Sequence, residues 1–184
     1  MDKNVLGLFR FVVQKHRATA LHYDFRLEIG ELMPSWAVPK GPTLDNTVKR
    51  LAMRTPDHDL EWRNFEGVIP EGSVGAGPVM IWDEGMFNPE VEISKGVREE
   101  IFNREEGEKI LEEGLEKGEL KFVLYGSKLR GSFALVKTKM FGGSKRESWL
   151  MIKHKDDFVE VGYEAKIFDF SARSGKAFEE IGGE

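Results

Sequence analysis

No cysteine occurs among the 184 residues. That excludes disulfides, cysteine-ligated zinc and thiol nucleophiles, and it fits a cytoplasmic protein. Any metal must be held by histidine, carboxylate and water. No run approaches the ~18 apolar residues needed to span a bilayer, so no membrane partner is expected. The opening stretch MDKNVLGLFRFVVQKHR has too short an apolar run and no small-residue cleavage site, which argues against a signal peptide. Repeats and low-complexity segments are missing too. There is no cationic excess: the formal net charge is −5. The charge is uneven, however. Residues 1–65 carry 10 Lys+Arg against 8 Asp+Glu, and residues 66–184 carry 17 against 24. Recognition follows the field at a patch rather than the mean, so such a chain should not coat long duplexes but could grip a strand end.

With 40% hydrophobic residues, the chain can bury one good core and reads as a single domain. Strands are expected at 11–15, 21–29, 36–38, 50–54, 65–69, 79–82, 120–124, 132–137 and 148–153, from period-2 alternation and turn residues. In the fourth of these, Leu51 and Met53 are the apolar positions and Arg50 and Arg54 the polar ones. TPDHDLEW follows as a polar loop, Asp83-Glu84-Gly85 reads as a turn, and Gly75-Ala76-Gly77 as another. Residues 88–118 carry a 3.6 period through Ile101, Phe102, Ile110, Leu111 and Leu115, predicting one or two helices. MFGGSKRE reads as a mobile loop, and the tail after Glu160 as a short element that frays. Trp36, Trp82 and Trp149 are assigned to the core. The expected fold is mainly β: a compact antiparallel β-barrel of about eight strands with one or two short helices.

The segment ALHYDFRLEI is the most informative. Tyr23, Phe25 and Leu27 alternate with His22, Asp24 and Arg26, so a half-buried strand would line up an imidazole, a carboxylate and a guanidinium on its polar face. Alternate strand residues lie ~6.6–7 Å apart, so His22 and Asp24 can converge on one ion, and His16 can arrive from the neighbouring strand of a hairpin. Two imidazoles and a carboxylate leave coordination positions open, and by donor type Mn²⁺, Fe²⁺, Zn²⁺ and Co²⁺ all suit. An H-x5-H-x-D spacing also arises by chance among ordinary histidines. The cations of Arg26, Lys40, Arg50 and Arg54 give it weight, because fixed cations beside a metal are what a phosphoryl group needs. Arg54 alone reads as a solvated strand residue. His58 is a candidate proton donor or a loop cap, and His154 reads as a surface residue.

FVVQKHRATALHYDFRLE, SWAVPKGPTLD, KRLAMRTPDHDLEW, FEGVIPEGSVGAGPVMIWDEG and LKFVLYGSKLRGSFALVKT resemble the 3′-phosphoesterase domain of bacterial DNA ligase D and its stand-alone archaeal relatives, in order from about Phe11 to Lys153. The resemblance implies a β-barrel enzyme of non-homologous end joining. Such an enzyme removes a 3′-terminal ribonucleoside by a phosphodiesterase step and then the 3′-phosphate by a phosphomonoesterase step. It implies Mn²⁺ as cofactor, with Co²⁺ or Zn²⁺ as other divalent metals. Its metal ligands fall on His16, His22 and Asp24, its phosphate-binding groups on Gln14, Arg26, Lys40 and Arg50, and its further catalytic histidine on His58. Implied partners are DNA or RNA–DNA primer-template 3′ ends and a separate ligase, polymerase or Ku-type protein; the chain itself is expected to be a monomer. Three departures stand out. Trp62 occupies a position where the family often has tyrosine, the first ten residues do not match the family's N-terminal arm, and residues 90–107 read as an insertion. The first two make the monoesterase the firmer expectation. From the residues alone two rivals stay open: a 2-His-1-carboxylate iron oxygenase and a non-catalytic DNA-end-binding module.

Overall fold

Residues 7–139 and 146–182 are described by the computed structural model, so most of the loop expected at 140–147 lies outside the described residues. Ten strands run β1 Phe9–Arg17, β2 Leu21–Leu27, β3 Leu32–Val38, β4 Lys49–Asp59, β5 Gly67–Ile69, β6 Gly77–Ser94, β7 Val97–Glu100, β8 Glu119–Gly126, β9 Arg130–Lys137 and β10 Ser148–Lys153. Every pairing is antiparallel. The order β1-β2-β3-β4-β10-β9-β8-β6 closes on itself because β6 pairs back to β1. The expected mainly-β, barrel-like architecture of about eight strands is thus a closed ring of eight, with β5 and β7 attached to β6.

Alternation explains the core. Tyr23, Phe25 and Leu27 of β2 point inward with Phe9, Phe11 and Val13 of β1, and Trp36, Trp82 and Trp149 are all buried as expected. Phe25 sits between Phe11 at 6.2 Å and Phe122 at 5.8 Å, near aromatic pairing distance. Its replacement by Ala would cost about 3–5 kcal/mol.

Four expectations are corrected. Asp83-Glu84-Gly85 is no turn: β6 runs through it for 18 residues. The Asp83 carboxylate instead accepts the backbone amides of Ser127, Lys128 and Leu129, and so builds the β8–β9 turn from a distance. Residues 88–100 are not helical either. Val91 and Ile93 continue β6, Gly96 at φ 75° turns the chain, and β7 returns. Helix α1 spans only Arg104–Lys117, capped by the Asn103 side chain on the Glu106 amide and ended by Gly118 at φ 85°. The 90–107 stretch, read as an insertion, forms the outer part of this hairpin and the start of α1. On β4 the apolar pattern misleads, because Leu51 is 42% exposed while Ala52 is fully buried. Arg54 is not solvated: its guanidinium lies 5.1 Å from the Trp36 ring and bonds the Thr55 carbonyl and the Asp57 carboxylate. The tail after Glu160 does form short elements, as expected, and its last two residues lie outside the described ones. A 3₁₀ turn at Ala165–Ile167 and helix α2 at Phe178–Gly182 bring Tyr163, Ala165 and Phe178 into the core, and the Phe168 carbonyl accepts the Trp82 indole N–H.

Candidate metal and phosphate site

Directly opposed residues of an antiparallel pair share a face. The register pairs Gln14 with Asp24, His16 with His22, Arg26 with Ser35, and Ser35 with Thr55. One face of β1–β4 therefore gathers His16, His22, Asp24, Arg26 and Gln14. It is not a wet face, since Asp24 and Arg26 are each about 95% buried. The 60–76 segment covers it: a 3₁₀ turn at Leu60–Asn64, strand β5 and the loop behind it. Leu60 packs on Val12, Met33 and Ile81, and the Trp62 and Phe65 carbonyls take both Gln14 amide hydrogens at 2.9 and 3.0 Å.

The histidines are aimed by backbone carbonyls. His16 Nε2 lies 2.6 Å from the Gly75 carbonyl and His22 Nδ1 3.1 Å from the Ala20 carbonyl. A carbonyl can only accept, so these nitrogens carry the hydrogens. The lone pairs then fall on His16 Nδ1 and His22 Nε2, which stand 3.7 and 3.1 Å from the same Asp24 oxygen, Oδ2. Two imidazole lone pairs and a carboxylate, all within 4.8 Å of one another, repel unless a cation or proton lies between them. The three side chains therefore fit a divalent ion, with carbonyls holding the far side of each ring as outer partners do in metal sites. Burial would push the Asp24 carboxyl up, but with protons between the groups, hydrogen bonds from both histidines and then the Arg26 charge overcome it and hold the group far below the usual carboxylate range. Burial pushes His22 down, and the Asp24 bond and charge outweigh it, leaving the imidazole above its ordinary value.

Arg26 completes the buried chain. It donates through Nε to Gln14 Oε1 at 2.7 Å and through Nη1 to Ser35 Oγ at 2.9 Å, and Nη2 stands 3.4 Å from Asp24. His58, expected in a loop, lies on β4 instead. A register shift opposite Met33–Ser35 turns it toward Arg26, placing Nδ1 3.1 Å from Nη1 and 2.9 Å from the Pro56 carbonyl. Burial and then the Arg26 charge push His58 down, so it is neutral at neutral pH. His16, Asp24, Arg26 and His58 line a cavity of about 320 Å³ with Thr55, Trp62, Val74 and Gly75. Gly75 and Gly77, read as a turn, hold φ +74° and +130°; a Cβ on Gly77 would run into the Arg17 carbonyl.

The structure does not bring Lys40 or Arg50 into this group. Lys40 is exposed on the turn after β3, at the His22 end of β2. Arg50 shares the face of Ala52 and Arg54, opposite the site, and lies 3.6 Å from Glu164. Sequence reading missed Ser35, Thr55 and the carbonyls of Gly75, Trp62 and Phe65. Only Ser35 had a signal, as a polar residue inside an apolar strand.

A family model described as the DNA Ligase D 3′-phosphoesterase domain matches residues 14–137. The chain belongs to the DNA ligase D 3′-phosphoesterase domain family. It is 46% identical over 154 residues, 84% of its length, to the multifunctional non-homologous end joining protein LigD of Pseudomonas aeruginosa. LigD of Mycolicibacterium smegmatis is 37% identical over 80% of the chain, and that of Mycobacterium tuberculosis 34% over 87%. These alignments cover only 16–17% of each relative, so this phosphoesterase-family chain spans about one sixth of their length. Among the described residues no helix is long and apolar enough to cross a membrane.

Proposed function

We propose that this chain is a metal-dependent phosphoesterase of DNA or RNA–DNA 3′ ends, removing a 3′-terminal ribonucleoside and then the 3′-phosphate to leave a 3′-OH. One observation supports it above the others: two carbonyl-aimed histidine lone pairs and a carboxylate converge beside a buried arginine, and His16, Asp24 and Arg26 open into one cavity. The LigD relatives, named for non-homologous end joining, supply the context, and a separate ligase, polymerase or Ku-type protein would complete it. Mn²⁺ is the proposed ion, with Co²⁺ or Zn²⁺ as substitutes. Bound to His16, His22 and Asp24, it would polarise a phosphoryl oxygen and lower the pKa of a coordinated water.

The chain's own groups do the rest. Arg26, its plane fixed by Gln14 and Ser35, grips non-bridging phosphate oxygens and stabilises the charge that builds up in the transition state. An anion beside neutral His58 raises its proton affinity. Nε2, which has no hydrogen-bond partner among the described residues, then delivers a proton to the leaving oxygen. Lys40 and Arg50 would reach the phosphate only by moving toward it. The iron-oxygenase reading has no support beyond the triad itself, and a mere end-binding module would not need the lone pairs aimed.

The deciding experiment incubates the protein with Mn²⁺ and a labelled primer ending in one ribonucleotide and resolves the 3′ ends. A 3′-phosphate product followed by a 3′-OH is expected, and His22→Ala should abolish both steps. Normal turnover by that variant would sink the assignment. Arg26→Ala should lose turnover yet keep Mn²⁺ binding by calorimetry.

A further inference from the structure

Behind the catalytic cavity lies a second, shallower groove of about 530 Å³, lined by Asp57, His58, Asp59, Glu61, Trp62 and Phe65 together with Asn64. The two hollows share His58 and Trp62 as a common wall. Their chemistry differs sharply. The first holds Arg26; the second is lined by three carboxylates and no lysine or arginine. Arg54 offsets Asp57 at 2.8 Å, which leaves the charges of Asp59 and Glu61 facing the groove. Its remaining wall is aromatic. Trp62 and Phe65 stack at 4.9 Å and 12°, both half-buried, with the His58 ring 5.8 Å further along.

We propose that this groove is the subsite for the departing terminal nucleoside. The inference rests on the phosphodiesterase reading above and extends it. With the scissile phosphate on Arg26, a group leaving past His58 passes directly into the groove. There its base continues the aromatic stack, and its ribose hydroxyls donate to Asp59 and Glu61. The same carboxylates repel any further phosphate, so the groove accepts one uncharged nucleoside and rejects a longer, phosphate-bearing tail. In the step served, a water oxygen bonds to phosphorus and the bond from phosphorus to the nucleoside's 5′ oxygen breaks. That oxygen leaves with the nucleoside as a 5′-OH carrying one of the water's protons, and the phosphate stays on the primer's 3′ oxygen.

The test compares two primers, one ending in a ribonucleoside and one in a 3′-phosphate, whose hydrolysis leaves the groove empty. Base stacking contributes about 1–3 kcal/mol. Phe65→Ala should therefore lower diesterase kcat/KM about tenfold or more beyond any loss it causes in the monoesterase through the backbone that holds Gln14, with Phe65→Tyr restoring the diesterase. The surface pair Asp59→Asn with Glu61→Gln, which disturbs no packing, should lower the diesterase about threefold and spare the monoesterase. Equal losses on both primers, or no loss on either, overturn the subsite while the phosphoesterase reading stands. A wild-type protein with monoesterase activity alone also overturns the subsite only. Inactivity on both primers overturns the reading and the subsite together.

Discussion

Replacing Arg26 by methionine keeps the aliphatic stem and removes the guanidinium, and the structure sets what that costs. Gln14 Oε1 and Ser35 Oγ each lose a charge-assisted bond at 2.7 and 2.9 Å, each of the kind that contributes about 1.5–3 kcal/mol. Asp24, buried with Arg26 at 3.4 Å, loses its arginine, and stripping one partner from a buried pair costs about 3–5 kcal/mol. These losses overlap, since they share one network, and the arginine's own desolvation is relieved at the same time. The net expectation in metal-free buffer at pH 7 is about 3–5 kcal/mol. At a urea slope of ~2 kcal/mol/M, the unfolding midpoint followed by circular dichroism falls by about 2 M. With excess Mn²⁺ the loss should shrink, because an ion on Asp24 replaces the missing positive charge and binds the native state. A metal-free loss under 1 kcal/mol, or the same loss with and without Mn²⁺, would refute the claim that Arg26 neutralises Asp24 in the folded protein.

Other outcomes follow from single groups. His154 is held down to about 4 by burial first and then by the charges of Arg98 and Lys153. Between pH 6.5 and about 4 the unfolded chain takes a proton that the fold refuses, so stability falls as pH falls through that window. His154→Gln should flatten that slope in urea titrations; an unchanged slope would show that the proton goes elsewhere. Gly77→Ala combines a φ of +130° with a collision on the Arg17 carbonyl and should lower Tm by several degrees, as thermal unfolding will show. Chelation should lower the Tm of the wild type but leave that of Asp24→Asn nearly unmoved.

What the sequence made legible was local. The alternation of β2 put His22, Asp24 and Arg26 on one face because strand geometry leaves no other choice, and the hairpin with β1 brought His16 opposite His22. What it hid depends on partners far along the chain. Gln14 is fixed by carbonyls 48 and 51 residues away, and Asp83 earns its place in a strand by capping a turn 44 to 46 residues on. Neither contact leaves a trace in its own neighbourhood. On β4, Leu51 and Ala52 exchanged the roles their hydrophobicity suggests, because Arg54 covers Trp36 from the inward side. A strand bounded by arginines does not announce which of them will lie on an indole.

His16, His22 and Asp24 lie within nine positions of one another on two arms of one hairpin, whereas the β1–β6 seam joins residues 63 to 78 apart. Closing a short loop costs less chain entropy than closing a long one, and non-local pairing sets the pace of folding in such topologies. The proposed ligand triad should thus come together early and locally in folding. The carbonyls of Trp62, Phe65 and Gly75, which lock Gln14 and His16, should reach their places only as the ring closes. Metal capture during refolding should accordingly run in two kinetic phases: a fast, weak association with the open hairpin, and a slower tightening as the seam zips shut.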